Sequence, residues 1–329
     1  MLKSIVLVSP AMREANNGNW HTAQRWSKFL SGHCDTELVK SWPPAAGCST
    51  AAARAPQAMI ALHARRSADS IHAWAKACPE KPLIVVLTGT DLYRDIQDDA
   101  DAQKSLALAS HLVVLQEAGM QALPQPWRSK TRVIFQSAPV LKPAHKSSQR
   151  FRAVMVGHLR GEKDPLTFMQ AAAQVPDHHI YFDQIGDALE PEFAVRAEKT
   201  HQQNPHYRWL GGLPRAVSRQ RIRRAHVLVN CSVMEGGAHV VLEAVQSATP
   251  VLASRISGNI GMLGTDYAGY FPVGDAAALA ALVRRCAAEP AFLTLLQSQC
   301  TRRAPLFAPD AEQRHVLNLV LSAIDRPPA

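Results

Sequence analysis

Two glutamates, Glu235 and Glu243, bracket the turn Gly236-Gly237-Ala238-His239. An apolar run at His226 to Val229 precedes the turn. Val240, Val241, Ala244 and Val245 follow with helical spacing, and a new apolar run opens at Pro250. The pattern predicts strand, glycine turn, helix, strand. Such a turn aims the backbone N–H groups of Gly237, Ala238 and His239 outward at a helix N-terminus, where peptide dipoles favour an anion. The chemistry it suggests is a diphosphate cradle, with Gly236 supplying the sharp bend. Glu243 would lie roughly 8 Å along the helix axis at about 1.5 Å per residue. Carboxylates accept from hydroxyls, so the pair could hold a sugar on one side of a diphosphate and a ribose on the other. A plain turn ahead of a solvated acidic helix fits the same letters.

Further polar groups stand where other apolar runs end. Ile5 to Val8 leads into Asn17, Gly18, Asn19 and Thr22; Gly18 would allow close backbone approach, and Asn19 or Thr22 could bond phosphate. A helix-capping turn is the other reading. Met59 to Leu62 leads into His63, Arg65 and Arg66, and Leu83 to Leu87 leads into Asp91 and Arg94. In doubly wound sheets ligands bind outside the carboxyl ends of the strands, which makes all of these candidate substrate-binding residues, with His63 and Glu235 candidates for catalysis. Asp99 and Asp101 have the spacing of a metal-binding pair but fall in a polar helical run, so no metal site is expected. Arg215, Arg219, Arg221, Arg223 and Arg224 form the most basic stretch. Lacking interleaved aromatics and repeating at four, it predicts a solvated helical face rather than a nucleic-acid surface.

These sites need elements that hold them, and the chain has the length for two domains: 329 residues exceed what one core usually supports. Short apolar runs at 5–8, 35–39, 59–62, 83–87, 111–115 and 132–135 alternate with helical stretches and predict one parallel sheet. Runs at 151–156, 179–183, 207–210, 226–229, 250–253 and 269–273 predict a second. Helices are expected at 20–30, 96–109, 166–173, 276–288 and 310–324. The polar, proline-bearing stretch 138–150 reads as a linker, giving domains at 1–143 and 150–309 and a terminal segment at 310–329. The six cysteines have no paired or metal-like spacing and read as reduced buried thiols. No apolar run approaches the ~20 residues needed to cross a bilayer. The first residues enter a strand without a secretion signal. A cytoplasmic protein without membrane or nucleic-acid partners is expected, its net charge of +9 serving small anionic molecules.

The spacing Glu235, seven residues, Glu243, then Ala244 and Thr249-Pro250-Val251, resembles the nucleotide-sugar signature of the family 4 glycosyltransferases. That resemblance implies the GT-B fold, an α/β architecture of two Rossmann-like doubly wound domains facing across a cleft. It also implies roles for Gly157-His158-Leu159-Arg160-Gly161-Glu162-Lys163, where the family places an arginine and a lysine on the nucleotide diphosphate. Lys163 matches directly and joins His63 and Glu235 as a catalytic candidate, and Arg160 stands in for the arginine that His158 replaces. Trp209 to Leu213 is similar to the segment bordering the base, and the last helix in this fold commonly crosses back to the first domain. Residues 17–26, 61–67, 88–93 and 156–160 resemble the selenosugar synthases of selenoneine biosynthesis. The implied reaction joins selenophosphate to the sugar of a UDP-sugar, UDP-N-acetylglucosamine or UDP-glucose, with neither cofactor nor metal; other selenoneine-pathway enzymes are the implied partners. Arg65, Arg66, Arg94, His63, Asn17 and Asn19 are then of the type needed for a small, highly charged acceptor.

Overall fold

The computed structural model describes residues 2–12, 18–43 and 55–325; Asn17 lies outside them. The chain forms two compact units, Met1–Gln136 with Pro309–Ala329, and Ser137–Ala308. The first holds β1 (Lys3–Val8), β2 (Cys34–Val39), β3 (Ala58–Leu62), β4 (Leu83–Leu87), β5 (His111–Val114) and β6 (Thr131–Val133), in the order β2-β1-β3-β4-β5-β6. The second holds β7 (Phe151–Val156), β8 (Ile180–Ile185), β9 (Tyr207–Trp209), β10 (Val227–Asn230), β11 (Val251–Ser254) and β12 (Tyr270–Phe271), in the order β12-β11-β10-β7-β8-β9. All pairings are parallel. Each is a doubly wound sheet, as the apolar runs predict. Among the described residues no helix is long and apolar enough to cross a membrane.

Burial explains why the strands read so clearly. In β3 and β4 every residue is buried, because helices cover both faces of the sheet. Val6, Val8, Met59, Ala61, Val85 and Leu87 pack with Ile71 and Trp74 on one side. Ile5, Leu7, Ile60, Leu62, Ile84 and Val86 pack with Trp26, Leu30, Val316 and Val320 on the other. The side-chain period of two assigns alternate residues of one strand to opposite cores.

The second of those cores depends on the helix Pro309–Asp325, which belongs to the first unit and packs against the helix Gly18–Leu30. Its Glu312 is 1% exposed and accepts from Trp26 Nε1 at 2.8 Å, Arg25 Nε at 2.7 Å and Arg25 Nη2 at 3.0 Å. Removing one partner of such a buried pair leaves the other charge uncompensated. Glu312→Ala should therefore destabilise the first unit by about 3 kcal/mol. Urea unfolding followed by tryptophan fluorescence checks this, the expected result being an earlier first transition; coincidence with the parent curve would show that the pair carries no net stability.

Candidate functional site

In the second unit the strand order reverses between β7 and β10, and ligands of doubly wound sheets lie outside the carboxyl ends at such a reversal. Two loops leave there. The exit of β7 runs through Gly157 to a short 3-10 turn, Gly161–Lys163, and Asp164 then caps the helix Pro165–Ala173 by accepting from Thr167 N. The exit of β10 runs through Ser232 and Glu235 into the helix His239–Val245. Val233 N donates to Glu162 O at 3.0 Å and ties the loops together. At their junction Lys163 Nζ donates to Glu235 Oε1 at 2.5 Å.

Glu235 is 8% exposed, and its Oε1 also accepts from Ser232 Oγ at 2.6 Å and Asn230 Nδ2 at 3.5 Å. Burial would push this carboxyl up, but the Lys163 ammonium and the hydrogen bonds together outweigh it and hold the group below its ordinary value. Asn230 is fixed in turn by Asn259 Nδ2 at 3.2 Å. Gly258 permits the arrangement: a Cβ there would stand 2.1 Å from the Glu235 carbonyl oxygen. The turn itself differs from the expected row of free donors. Ala238 N donates to Met262 Sδ at 3.1 Å, while Gly236 and Gly237 donate to no acceptor among the described residues. Arg160 and His158 stand beside this loop, their nearest carboxylates being Glu162 at 3.8 Å and Asp187 at 3.9 Å.

Glu243, 4% exposed, is not a solvated acid. Its Oε1 accepts from Arg215 Nε at 3.1 Å and Nη2 at 3.0 Å, with His239 Nδ1 at 3.4 Å and Arg219 Nε at 3.7 Å. Burial raises this carboxyl too, and His239 and Arg215 together bring it below its ordinary value. The arginine run is corrected accordingly. Arg215 and Arg219 face a buried carboxylate, and Arg219 Nη2 and Arg223 Nε donate to the carbonyls of Pro139 and Lys142 at 2.8 and 2.5 Å. Arg215, Arg221 and Arg224 are the exposed members of that run, and of these Arg215 alone has a side-chain partner among the described residues. A groove of about 520 Å³, lined by Met169, Arg196, Thr200 and His206 among others, lies instead at the amino ends of β8 and β9.

In the first unit the strand order reverses between β1 and β3, and His63 is the first residue after β3. It is buried with φ at +72°, a left-handed conformation rare for a side chain of this size. Arg66 N donates to His63 Nδ1 at 3.2 Å, so the ring proton sits on Nε2 and is donated to Thr90 Oγ1 at 3.0 Å. Burial, outweighing the pull of Asp91, lowers the pKa and keeps the ring neutral. Asp91 is used inside the fold: fully buried, it accepts from the N–H groups of Ala64, Thr88, Gly89 and Leu92 at 2.8 to 3.1 Å. Thr22 is likewise engaged, donating to Gly18 O and accepting from Gln136 Nε2. Asn19 is buried one residue into its helix, and Gly18, which opens that helix, is exposed. Arg65 pairs with Asp99 at 2.9 Å and Arg94 with Asp95 at 3.2 Å. Asp99 also accepts from Ala102 N at 2.8 Å and caps the helix that begins at Ala100. Arg66 is exposed and has no side-chain partner among the described residues.

Residues 140–305, half of the chain, match the family described as glycosyl transferases group 1. A Xenopus tropicalis protein described as glycosyltransferase 1 domain-containing protein 1 is 30% identical over 154 residues, covering 46% of this chain and 43% of that protein. The match thus spans less than half the length of this curated relative. Among solved structures, the chain is similar to sucrose-phosphate synthase of Thermosynechococcus elongatus, with TM-score 0.79 and 16% identity over 98% of this chain and 99% of that one. It is also similar to HepE of Anabaena in complex with UDP and glucose, with TM-score 0.74 and 16% identity over 97% and 100%. At such identities the likeness shows the fold.

Lys163→Met tests the electrostatics of the site. The pair holds the folded carboxyl below its unfolded value, so its stability is present above the ordinary carboxyl range and lost as pH falls through the depressed value. Without the lysine, burial raises Glu235 instead. The variant should lose about 3 kcal/mol at pH 7, and the gap should close as pH falls toward about 4. Urea unfolding at pH 4, 5.5 and 7 measures it; a gap independent of pH would dissociate Lys163 from the Glu235 charge.

Proposed function

The chain belongs to the glycosyl transferases group 1, and on that premise we propose that it transfers the sugar of a UDP-sugar to selenophosphate. The observation that carries the donor half is the position of the Lys163–Glu235 pair, at the carboxyl ends of β7 and β10 where the second sheet reverses. UDP in complex with HepE, a protein of the same fold, supports the choice of nucleotide. As the glycosidic C–O bond breaks, the departing diphosphate gains negative charge. Lys163 and Arg160 are the cations beside that position, and each such contact is typically worth about 3 kcal/mol in a dry site. A diphosphate competes with Glu235 for the ammonium, which frees the carboxylate to accept from a sugar hydroxyl. Glu243 is the ribose ligand in this reading.

The acceptor half rests on the selenosugar-synthase resemblance and on His63. Both ring nitrogens of His63 are engaged and the ring is neutral, which suits an acceptor that arrives already ionised. A selenium anion needs no strong base. Its lone pair forms the C–Se bond, UDP leaves, and water then cleaves the P–Se bond to release phosphate and the 1-selenosugar. Arg66, exposed and without a side-chain partner among the described residues, is the first candidate to meet the acceptor's phosphoryl oxygens. The setting would be selenoneine biosynthesis in the cytoplasm, alongside other enzymes of that pathway.

The test is mass spectrometry after incubating the purified protein with selenophosphate and either UDP-N-acetylglucosamine or UDP-glucose, beside controls lacking one substrate. A selenium isotope pattern on the hexose or hexosamine is expected, with kcat about a hundredfold lower for Lys163→Ala. Transfer to hydroxyl acceptors only would overturn the selenophosphate assignment. Intact UDP-sugars under all conditions would overturn the donor assignment as well.

A further inference from the structure

Glu243 is a buried carboxylate that would favour its neutral form without a cation, because desolvation penalises charge. The groups facing it are Arg215 and Arg219 from the helix Arg215–Arg224 and His239 from its own helix. β10, β11 and residues 290–307, which also pack on this helix, bring no ionised group within ion-pair distance of it among the described residues. Their commitments differ. Arg219 spends its Nη2 on the Pro139 carbonyl, and its Nε stays 3.7 Å from Glu243 without a hydrogen bond. His239 is a cation only when protonated. Arg215 alone delivers a permanent charge by direct hydrogen bonds, two of them to the single oxygen Oε1.

The stretch ahead of Arg215 fixes where that guanidinium stands. Gly211 has φ at +63°, and a Cβ on Gly212 would stand 2.2 Å from Asp187 Oδ1, so the approach to the helix admits no side chain there without a shift. Pro214 then caps the helix, its carbonyl accepting from Val217 N and Ser218 N. Arg215 follows at the first position, half exposed, with its side chain reaching Glu243.

We propose that Arg215 is a positioning residue of the nucleotide site: by occupying Glu243 Oε1 it keeps the carboxylate ionised and in one orientation for the ribose hydroxyls. This rests on the reading of Glu243 as the ribose ligand. Its consequence is that nucleotide affinity rests on a permanent charge rather than on the protonation of His239, which stands 3.4 Å from the same oxygen. Between its two states the carboxyl changes from a pure acceptor to a group that must also donate.

Calorimetric titration of the full chain with UDP between pH 5.5 and 8 tests this, using the parent protein, Arg215→Ala, Arg215→Lys and Glu243→Gln. The parent affinity should be flat with pH. Arg215→Ala should bind about tenfold more weakly at pH 7 and regain affinity as pH falls and His239 protonates beside Glu243. Arg215→Lys should recover part of the affinity and most of the flat profile, and Glu243→Gln should be weak and flat. An Arg215→Ala protein that loses thermal stability but binds UDP like the parent at every pH would overturn the inference and leave the donor reading standing. A parent protein that does not bind UDP would overturn that reading, and the inference with it.

Discussion

A buried carboxylate at the mouth of a parallel sheet persists as an anion only if a cation or hydrogen-bond donors are brought to it, and the second unit is arranged around that requirement. Lys163 and Glu235 are 72 residues apart in sequence. They meet because β10 lies beside β7, so that the loops leaving two strands distant in sequence emerge side by side. The pair also imposes demands away from itself. Asn259 must anchor Asn230, and the segment carrying Gly258 must pass so close to the Glu235 carbonyl that a side chain is excluded. Sheet order brings the pair together, and a glycine and two asparagines hold the loop around it.

The first unit solves a related problem with backbone rather than with a cation. Asp91 collects four N–H groups from two loops and thereby shapes the exits of β3 and β4. His63, held in a left-handed conformation between Arg66 N and Thr90, cannot swing away without breaking that knit. Rigidity here is local and comes from satisfied polar groups. The exposed Arg66 is the charge set upon it.

Most strands were legible because a strand buried on both faces is a continuous apolar run; the edge strand β2 is only partly buried and carries Asp35, Thr36 and Glu37, and all twelve expected stretches are strands. Their order was not, since it depends on which edges pair. Helices with few buried positions escaped notice: Pro191–Gln203 buries only Phe193 and Ala197, and Pro290–Arg303 only Phe292, Leu296 and Cys300. Site residues divided along the same line. The placement of Glu235 and Lys163 at strand exits, and of Glu243 on the helix that follows, was legible from position alone. The partners of Thr22 and Asp91 are largely backbone atoms, which leave no trace in residue type. Arg215 and Arg219 repeat as a solvated helix would, and the buried acid that explains them lies on a different helix.

The first unit is built from two pieces of chain, with Ser137–Ala308 intervening before Pro309–Asp325 supplies Val316, Val320 and Glu312 to its core. Synthesis therefore presents the segments out of step. Trp26 and Arg25 emerge early yet lack their carboxylate until the ribosome has made the whole second unit, on the order of fifteen to sixty seconds later at usual elongation rates. In that interval the second unit can close on itself, whereas the first exposes an apolar sheet face. The nascent first unit is thus a natural client for chaperones, and the order of maturation runs opposite to the order of translation.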